Sequence, residues 1–547
     1  MIQNIIRFSI KNKLIIGLLS IALVLGGLWS MSQVPLDAVP DITNNQVQVI
    51  TQSPNLATED MEQFVTYPVE LAMANLPGVE EIRSVSRFGL SLVTIVFNDE
   101  MDTYLPRQLV AEKLNEVAEE IPTGFGKPTM GPISTGLGEI YQYILEVDST
   151  HRDQYSSMDL RSIQDWIIRR QMAMVPGVVE VNAFGGQIKQ YEIAVDPDEL
   201  RAMGLSIAEL YSALQRNNTN TGGAYIEKNH KANFIRGEGL ARSLEDLENI
   251  LVENKGGIPI RIKDVAEVRY GQAVRYGAFT KDGQGEAVGG MILMLKGANS
   301  NKVIQAVKDR VEQIQKSLPE GLRIEPFLDR SSLIAQTTGT ISRNLMEGAL
   351  IVIFVLVLLL GNFRGGLIVA STIPLSLLFA FVMMNIFGVW ANLMSLGAID
   401  FGIIVDGAVI IVEGTVFLLH DKLLKGKLSP EERDEVAISA SGKMMNSAFF
   451  GQLIILIVFI PILALQGVEG KMFQPMALTF IFAMIGVMIL CLTYVPMMSA
   501  WLLRRPKSEA PNFGDRLILK LEALYESALA RALKSGKAIL ISAIVLL

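Results

Sequence analysis

Six long apolar runs constrain the fold of this chain more than any other feature of its sequence. A transmembrane helix needs about 20 mostly apolar residues to cross the hydrocarbon core of a bilayer. Runs of this kind lie at 14–31, 345–360, 367–389, 393–419, 447–465 and 472–503. They predict a polytopic α-helical membrane protein in which residues 32–344 form one long insertion after the first span.

The chain ends in a further apolar run, 538–547, of only ten residues. Ten residues of helix are about 15 Å long, which is half of the hydrocarbon core. We therefore expect a truncated or half-length product that stops inside the start of a seventh span. Residues 504–537 carry leucines at helical spacing beside charged residues, which predicts a cytoplasmic amphipathic helix on the membrane surface, with a packed connector helix as the alternative.

Basic residues set the predicted orientation in the membrane, because short cytoplasmic loops are enriched in Lys and Arg. Such residues flank the spans at Arg7, Lys11, Lys13, Arg364, Lys422, Lys425 and Lys427. The insertion 32–344 is then predicted to lie outside the cytoplasm. No small-residue cleavage pattern follows the first apolar run, so we expect an uncleaved signal anchor.

Composition excludes several classes of function. A net charge of −8 gives no reason to expect a nucleic-acid partner. The single cysteine, Cys491, lies in an apolar run, so neither a disulfide framework nor a thiolate metal cluster is expected. The three histidines are far apart in sequence, which argues against a histidine-rich chelate. The sequence has no phosphate-binding loop motif and therefore gives no sign of an ATP-driven machine.

The insertion repeats itself. LPGVEEIRSVSRFGLSLVTIVF begins at Leu76, and VPGVVEVNAFGGQIKQYEIAVD begins at Val175. Each unit predicts a helix, a Pro-Gly turn and two strands, and two small α/β sandwiches are the expected result. The accompanying strands are predicted at 45–51, 140–147 and 287–295, and the accompanying helices at 104–120, 207–217 and 302–317. The polar insert 214–239 reads as a projecting hairpin, although its composition alone favours a solvated loop.

The fourth apolar run contains three carboxylates, Asp400, Asp406 and Glu413. A charged residue near the centre of a membrane helix costs roughly 2.5 to 3.5 kcal/mol, so such residues normally face a bundle interior and move protons or ions. Asp406 and Glu413 are seven residues apart, which places them on one helix face about 10 Å apart, whereas Asp400 is turned to another side. No two of them can chelate one ion from this helix alone, so the spacing predicts a proton relay. The alternative is that these acids only pair with a basic residue of another helix. Glu347, near the start of the second span, is interpreted as structural.

The sequence resembles the heavy-metal efflux branch of the resistance-nodulation-division (RND) pumps, and most closely the cobalt-zinc-cadmium type. The motifs that carry this resemblance are VPLDAVPDITNNQVQV from Val34, TGLGEIYQY from Thr135, QDWIIRRQMAMVPGVVEVN from Gln164, NNTNTGGAYIE from Asn217, DFGIIVDGAVIIVE from Asp400 and EGKMFQPMA from Glu469. One departure from the family pattern is Gly414, where relatives usually have Asn. We expect a packing effect there rather than loss of the relay.

The resemblance implies the N-terminal half of a twelve-helix RND fold, with a large α+β periplasmic insertion in a bacterial inner-membrane protein. The insertion would contain two ferredoxin-like βαβ porter subdomains and a docking subdomain. The implied boundaries are 1–34 for the N-terminus and first span, 35–133 for the first porter subdomain, 134–180 with 271–335 for the second, 181–270 for docking, 336–503 for the other spans, 504–537 for the amphipathic helix and 538–547 for the truncated span. A homotrimer is also implied, with the hairpin reaching a neighbouring protomer, together with a periplasmic adaptor (membrane fusion) protein and an outer-membrane channel.

The resemblance also assigns roles to residues. Asp400, Asp406 and Glu413 match the family's proton-relay acids, and the copper and silver branch lacks an acid at the first position. Carboxylate ligands favour harder or borderline divalent ions. The implied substrates are therefore protons and a divalent ion such as Zn, Co, Cd or Ni, with no cofactor. Glu139 and Asp165 are candidate ligands for a porter metal site, although Glu139 could be a strand-edge carboxylate and Asp165 a surface partner of Arg169.

Other functions compete with metal/proton antiport. The chain could be an RND exporter of drugs or other solutes, but the aromatic residues of the insertion do not cluster as a drug pocket would require. A membrane factor that moves protein chains is disfavoured by the two-sandwich insertion and by the acidic helix. An inactive half-length scaffold is the remaining alternative, because the lysine partner of the relay acids belongs to the second half of relatives. None of these hypotheses predicts that the chain is an enzyme.

Overall fold

The computed structural model describes residues 2–37, 39–360, 362–397, 401–423, 429–503 and 513–546. The chain divides into two compact units, and each is considered by itself. The first unit contains Met1–Leu137, Lys296–Lys302 and Arg330–Leu547, and the second contains Gly138–Leu295 and Val303–Asp329.

The helices of the described residues are α1 Ile2–Lys11, α2 Lys13–Gln33, α3 Thr58–Met61, α4 Tyr67–Met73, α5 Tyr104–Glu120, α6 Ser157–Ile163, α7 Arg169–Met172, α8 Pro197–Ala202, α9 Ile207–Asn217, α10 Leu244–Glu248, α11 Ser300–Gln315, α12 Arg330–Leu360, α13 Phe363–Phe387, α14 Leu393–Gly397, α15 Phe401–Leu423, α16 Pro430–Phe459, α17 Gly467–Leu492, α18 Tyr494–Leu502, α19 Phe513–Lys534 and α20 Gly536–Leu546. One-turn π-helical segments join α3 to α4 at Glu62–Thr66 and α6 to α7 at Gln164–Ile168.

The strands of the described residues are β1 Asn45–Gln52, β2 Val79–Arg87, β3 Leu90–Phe97, β4 Thr129–Met130, β5 Glu139–Val147, β6 Val178–Phe184, β7 Lys189–Val195, β8 Thr221–Lys228, β9 Lys231–Gly237, β10 Leu251–Lys255, β11 Ile258–Arg261, β12 Ala266–Gln272, β13 Gly289–Met294 and β14 Leu322–Asp329.

The first unit contains a four-stranded sheet in the order β2-β3-β1-β4. All of its pairings are antiparallel, and β1 lies in register from Asn45 opposite Phe97 to Gln52 opposite Leu90. Alternate residues of β1 are buried, as the period of a half-covered strand requires. They pack with α4 and α5 in an apolar core that includes Val49, Val69 and Val110.

The second unit contains a sheet of the same kind, in the order β14-β5-β13-β6. Counted along the chain, both sheets follow the order 4-1-3-2 of a βαββαβ layout. The repeat is thus visible in the structure. In the second unit, however, the part of the repeat that is continuous in sequence ends at β6, one strand earlier than the sequence pattern predicted. The predicted boundary at residue 180 falls inside β6, which extends to Phe184.

The repeat pattern predicted the second strand and the following helix of the second repeat wrongly, whereas the boundaries implied by the family resemblance put both in the docking segment 181–270. β7 does not join the sheet of β6 but pairs with β12 in a separate two-stranded sheet. Helix α9, predicted to cover the second sandwich, contributes Leu210 and Ala213 to another apolar core, with Ile262 and Val268. The helix that follows β13 is α11. The physical reason is the Gly185-Gly186 pair that follows β6. Both glycines adopt positive φ, and this backbone conformation turns the chain out of the sheet.

The polar insert forms a β-hairpin rather than a plain loop. β8 and β9 pair from Thr221 opposite Gly237 to Lys228 opposite Lys231. The two residues between the strands, Asn229 and His230, both have positive φ, as a type I′ hairpin turn requires. Every residue of both strands is exposed in this chain.

The apolar runs form long helices. By length and composition, helices at Lys13–Gln33, Phe363–Phe387, Leu393–Leu419, Pro430–Ala464 and Gly467–Leu492 could cross a membrane, as judged from the described residues. The predicted run at 345–360 forms the last part of α12, some of whose side chains lie outside the described set. Residues 398–400, including Asp400, also lie outside the described residues.

Small residues bring the membrane helices close together. A Cβ atom added at Gly27 of α2 would lie 2.5 Å from Leu378 Cβ of α13, and one at Gly486 of α17 would lie 2.8 Å from Phe379 Cδ1. Close backbone approach at small residues is the usual means of packing helices in a bilayer, where apolar burial alone gives little driving force. α13 therefore lies between α2 and α17 in the bundle.

A buried ion pair fixes the start of α12. Arg330 Nη2 lies 2.8 Å from Asp37 Oδ1, and each side chain is only 7% exposed. Ser300 Oγ donates to the other oxygen of Asp37 at 3.0 Å, and Arg330 Nη1 donates to the Leu137 carbonyl. Four separate stretches of the first unit thus meet at one charged contact.

Candidate functional site

The acidic helix α15 has one buried side and one exposed side. Its buried residues include Ile404, Ala408 and Ile411, which belong to the main apolar core of the membrane helices. Gly402, Asp406, Glu413 and Phe417 are all exposed. Their spacings of four, seven and four residues keep them on one stripe of the helix. We call this stripe the acidic face.

Of the three acids, Asp406 and Glu413 belong to the described residues, and within this chain neither faces the interior of a helical bundle. Asp406 and Glu413 lie on the outside of its helical bundle, and no hydrogen bond or ion pair joins them to any other described residue. The physical reason is that α13, α16 and α17 pack on the opposite, apolar side of α15 and bury that side instead. A charged face of this kind is costly against lipid, so it suits a site that is covered by protein or reached by water.

Behind the acidic face, α15 meets α16 at a glycine. A Cβ atom at Gly407 would lie 2.2 Å from Gln452 Nε2, so this contact depends on glycine. Gln452 is 3% exposed, and among the described residues neither atom of its amide has a hydrogen-bond partner. The buried thiol of Cys491 lies near this amide but not at a hydrogen-bonding geometry.

We expect Gly407→Ala to lower the free energy of unfolding by about 1–3 kcal/mol, the usual cost of overpacking a well-packed interior. The effect should be smaller in a Gln452→Ala background, because the colliding amide is then absent. Unfolding of the purified chain in mixed detergent micelles, followed by tryptophan fluorescence, measures both. Gly451→Ala is the matched control, since a Cβ atom there meets nothing within 4 Å. Additive effects of the Gly407 and Gln452 changes would contradict the contact.

Glycine follows the second acid as well. A Cβ atom at Gly414, after Glu413, would lie 2.7 Å from Met444 Cγ of α16. Gly414 therefore leaves the space that the Met444 side chain of α16 fills. Asp406 and Glu413 are thus each followed by a glycine, Gly407 and Gly414, at which α15 packs closely against α16.

The two candidate metal ligands of the second unit lie in different surroundings. Glu139 begins β5, is exposed and accepts a hydrogen bond from Gln142 Nε2 at 3.0 Å. Asp165 lies in the π-helical segment after α6, and Arg161 Nε donates to its Oδ2 at 2.9 Å. Arg161, not Arg169, is therefore the basic partner of Asp165. Within the described residues, no group of three or more His, Cys, Asp or Glu side chains is arranged to hold a metal ion.

One carboxylate oxygen of Asp165, Oδ1, is nevertheless buried among polar side chains. Its Oδ1 has no hydrogen-bond partner among the described residues, and the same holds for Nε2 of the neighbouring Gln164. The Tyr143 hydroxyl donates to Gln164 Oε1 at 3.0 Å, and burial raises the pKa of that hydroxyl well above its ordinary value. π-helical turns inside α-helices often mark functional sites. Asp165 therefore has the better geometry of the two candidates.

Sequence reasoning did not single out Gln452, Asp37 or Arg330. For Gln452 a signal was available, because its amide interrupts the apolar run 447–465. For the ion pair there was no local signal, since its two residues are 293 positions apart.

Comparisons with known proteins agree with one another. The model of the AcrB/AcrD/AcrF family matches residues 5–547. The chain is 44% identical over 546 residues to the cation efflux system protein CzcA of Alcaligenes sp. strain CT14, covering 99% of this chain and 51% of that protein. The same identity and coverage are found with the cobalt-zinc-cadmium resistance protein CzcA of Cupriavidus metallidurans.

A solved structure is also similar. The crystal structure of a heavy metal efflux pump in crystal form II matches with a TM-score of 0.87 at 33% identity, covering 99% of this chain and 51% of that one. The chain therefore spans about half the length of the curated relatives that it matches.

Proposed function

Because this chain belongs to the AcrB/AcrD/AcrF family, as its resemblance to RND transporters predicted, we propose that it is part of a proton-driven antiporter of the bacterial inner membrane. In this proposal the antiporter exports divalent heavy-metal cations of the Zn, Co, Cd and Ni class. The observation that carries the proposal is the acidic face of α15, where Asp406 and Glu413 stand in an apolar span without partners among the described residues.

The acidic face suits protons better than metal. Asp406 and Glu413 are separated by seven residues, or about 10 Å along the helix, whereas two ligands of one ion must lie within about 2.0–2.6 Å of it. Single carboxylates can instead gain and lose protons as their surroundings change, because burial favours the neutral form and a nearby cation favours the charged form. In the proposal, Asp400 is the third relay acid, and a basic group from outside these residues pairs with the acidic face.

The exported ion contacts the second unit in this proposal. Asp165 supplies a buried carboxylate oxygen, and Glu139 supplies an exposed carboxylate. Both are oxygen ligands, which suit borderline divalent ions better than Cu(I). Further ligands must come from elsewhere, because a metal site needs several convergent groups.

The proposed assembly is a homotrimer that works with a periplasmic adaptor and an outer-membrane channel. The exposed hairpin of β8 and β9 fits the contact with a neighbouring protomer. Its strands present Tyr225 and Phe234 to solvent, the latter 83% exposed, and exposed aromatic residues of this kind are typical of interfaces.

A hybrid pump tests the proposed function. This chain replaces the matching 51% of the cobalt-zinc-cadmium resistance protein of Cupriavidus metallidurans, and the hybrid is produced in a metal-sensitive, efflux-deficient host. We expect restored tolerance to one or more of Zn, Co, Cd and Ni, and reduced tolerance in Glu139→Gln and Asp165→Asn variants.

Two outcomes would contradict the proposal. Tolerance to drugs without tolerance to any metal would indicate a multidrug or solute exporter. A hybrid that reaches the membrane, measured by immunoblot, yet changes tolerance to no compound would indicate an inactive scaffold.

A further inference from the structure

A cavity of about 480 Å³ lies in the first unit, beside the ends of three apolar helices. Its walls come from the chain that follows α2, from the turn between α13 and α14, and from the beginning of α17. α2 begins at Lys13 on the basic side of the membrane and ends at Gln33, so the cavity lies at the opposite membrane surface. This is the level of the lipid headgroups.

Three of the charges in the cavity wall, Asp37, Asp99 and Lys471, are neutralised by partners. Asp37 pairs with Arg330 at 2.8 Å, and Lys471 Nζ pairs with Asp99 Oδ1 at 2.7 Å. Lys471 also donates to the Thr43 carbonyl at 3.0 Å. These contacts fix the frame of the cavity.

Lys296 and Asp41 are the remaining charges of the wall. Among the described residues neither has an ion-pair partner, and one oxygen of Asp41 accepts the backbone N–H of Thr43 at 3.0 Å. Burial lowers the pKa of the half-buried Lys296 ammonium from its ordinary value, and Asp41 opposes this shift more than any other charge. A bound anion would raise the pKa of the Lys296 ammonium again, because a nearby negative charge favours the charged form.

The rest of the wall is largely apolar. Val389, Trp390 and Leu478 line it, together with Met101 and Pro475. Tryptophan is typical of the membrane surface, where its ring lies at headgroup level. The cavity therefore offers one cation, one anion and an apolar side to the same occupant.

We propose that this cavity binds the headgroup of one phosphatidylethanolamine molecule from the leaflet opposite the N-terminus. The Lys296 ammonium donates to the lipid phosphate, and the lipid ammonium donates to the Asp41 carboxylate. The glycerol backbone and the start of the acyl chains lie along Val389, Trp390 and Leu478. A purely anionic lipid would leave Asp41 uncompensated, and a bare metal ion would face the two ammonium groups of Lys296 and Lys471.

Lipid binding to the purified chain tests this inference and does not depend on the proposed transport activity. Native mass spectrometry compares phosphatidylethanolamine, phosphatidylcholine and phosphatidylglycerol with identical acyl chains. Phosphatidylcholine has the same phosphate but no N–H donor, so we expect the ethanolamine lipid to bind about tenfold more tightly, the worth of one charged hydrogen bond. Soluble phosphoethanolamine should not displace it, because it lacks the apolar part.

Variants assign the binding to this cavity. Asp41→Asn should abolish the preference for ethanolamine over choline, and Lys296→Gln should weaken binding of both lipids about tenfold. Lys302→Gln is the control, since that lysine is exposed and does not line the cavity. The ratio between the affinities of the two lipids is informative even in a less stable variant, because partial unfolding weakens the binding of both lipids by the same factor.

A photoreactive phosphatidylethanolamine locates the site directly. Crosslinks should map to 388–392 and 471–478, the two wall segments nearest to the acyl chains. Crosslinks elsewhere, equal binding of ethanolamine and choline lipids, or unchanged ratios in Asp41→Asn would overturn the inference.

Discussion

Replacing Asp406 with Asn will reduce the metal tolerance of the hybrid pump to that of a host without it. The amide has nearly the shape of the carboxylic acid but cannot carry a negative charge or release a proton, so a relay through α15 is interrupted. Glu413→Gln should impair tolerance in the same direction, because Glu413 lies on the same face one heptad away. The measurement is growth against increasing concentrations of each metal.

Glu347→Gln is the matched control for Asp406→Asn. Glu347 is an exposed carboxylate of α12 that pairs with Arg343 at 2.8 Å, one helical turn earlier. Exposed pairs of this kind contribute about 0–1 kcal/mol, so its neutralisation should leave tolerance intact. Equal tolerance of the unaltered hybrid and its Asp406→Asn variant, at equal amounts in the membrane, would exclude the relay.

Replacing Asp37 with Asn will lower the free energy of unfolding by about 3–5 kcal/mol, the usual cost of removing one partner from a buried ion pair. The change leaves Arg330 charged and 7% exposed. Ser300 also loses a charged acceptor. The measurement is unfolding of the purified chain in mixed micelles.

Two further variants define the cause of this loss. The double change Asp37→Leu with Arg330→Met should recover most of the stability, because an apolar pair of similar volume avoids the desolvation of both charges. Asp198→Asn removes an exposed ion pair, in which the side chains of Asp198 and Arg201 are 91% and 82% exposed. This change should lower the free energy of unfolding by about 0–1 kcal/mol. If Asp37→Asn cost no more than Asp198→Asn, the buried pair would not stabilise the start of α12.

Much of the local structure could be predicted from the sequence. The run 14–31 lies inside α2, and the predicted helix at 302–317 is close to α11 at Ser300–Gln315. These predictions rest on periodicity and on length, which are properties of consecutive residues. The acids Asp406 and Glu413 were placed on one helix face for the same reason, and the structure leaves both exposed on that face.

The assignments that failed depend on residues far apart in sequence. The repeat pattern predicted that β7 would join the sheet of β6, because the second repeat matches the first, in which two successive strands follow the Pro-Gly turn. Its partner is β12, from Ala266 to Gln272, and only the pairing of distant strands decides between the two sheets. The partner of Asp165 is a local case: Arg161 and Arg169 both lie four residues away along the chain, so spacing could not decide between them, and the structure shows the pair with Arg161.

The sequence by itself determined the long apolar helices, the succession of helices and strands in each repeat up to β6, and the shared face of Asp406 and Glu413, because each follows from the period of a helix or a strand. Only the tertiary structure decided that this face lies on the outside of the chain's own bundle. It also placed Gln452 against Gly407, and Arg330 against Asp37. These arrangements depend on which helices pack together and on how much volume a glycine leaves open, and neither is encoded in the spacing of neighbouring residues.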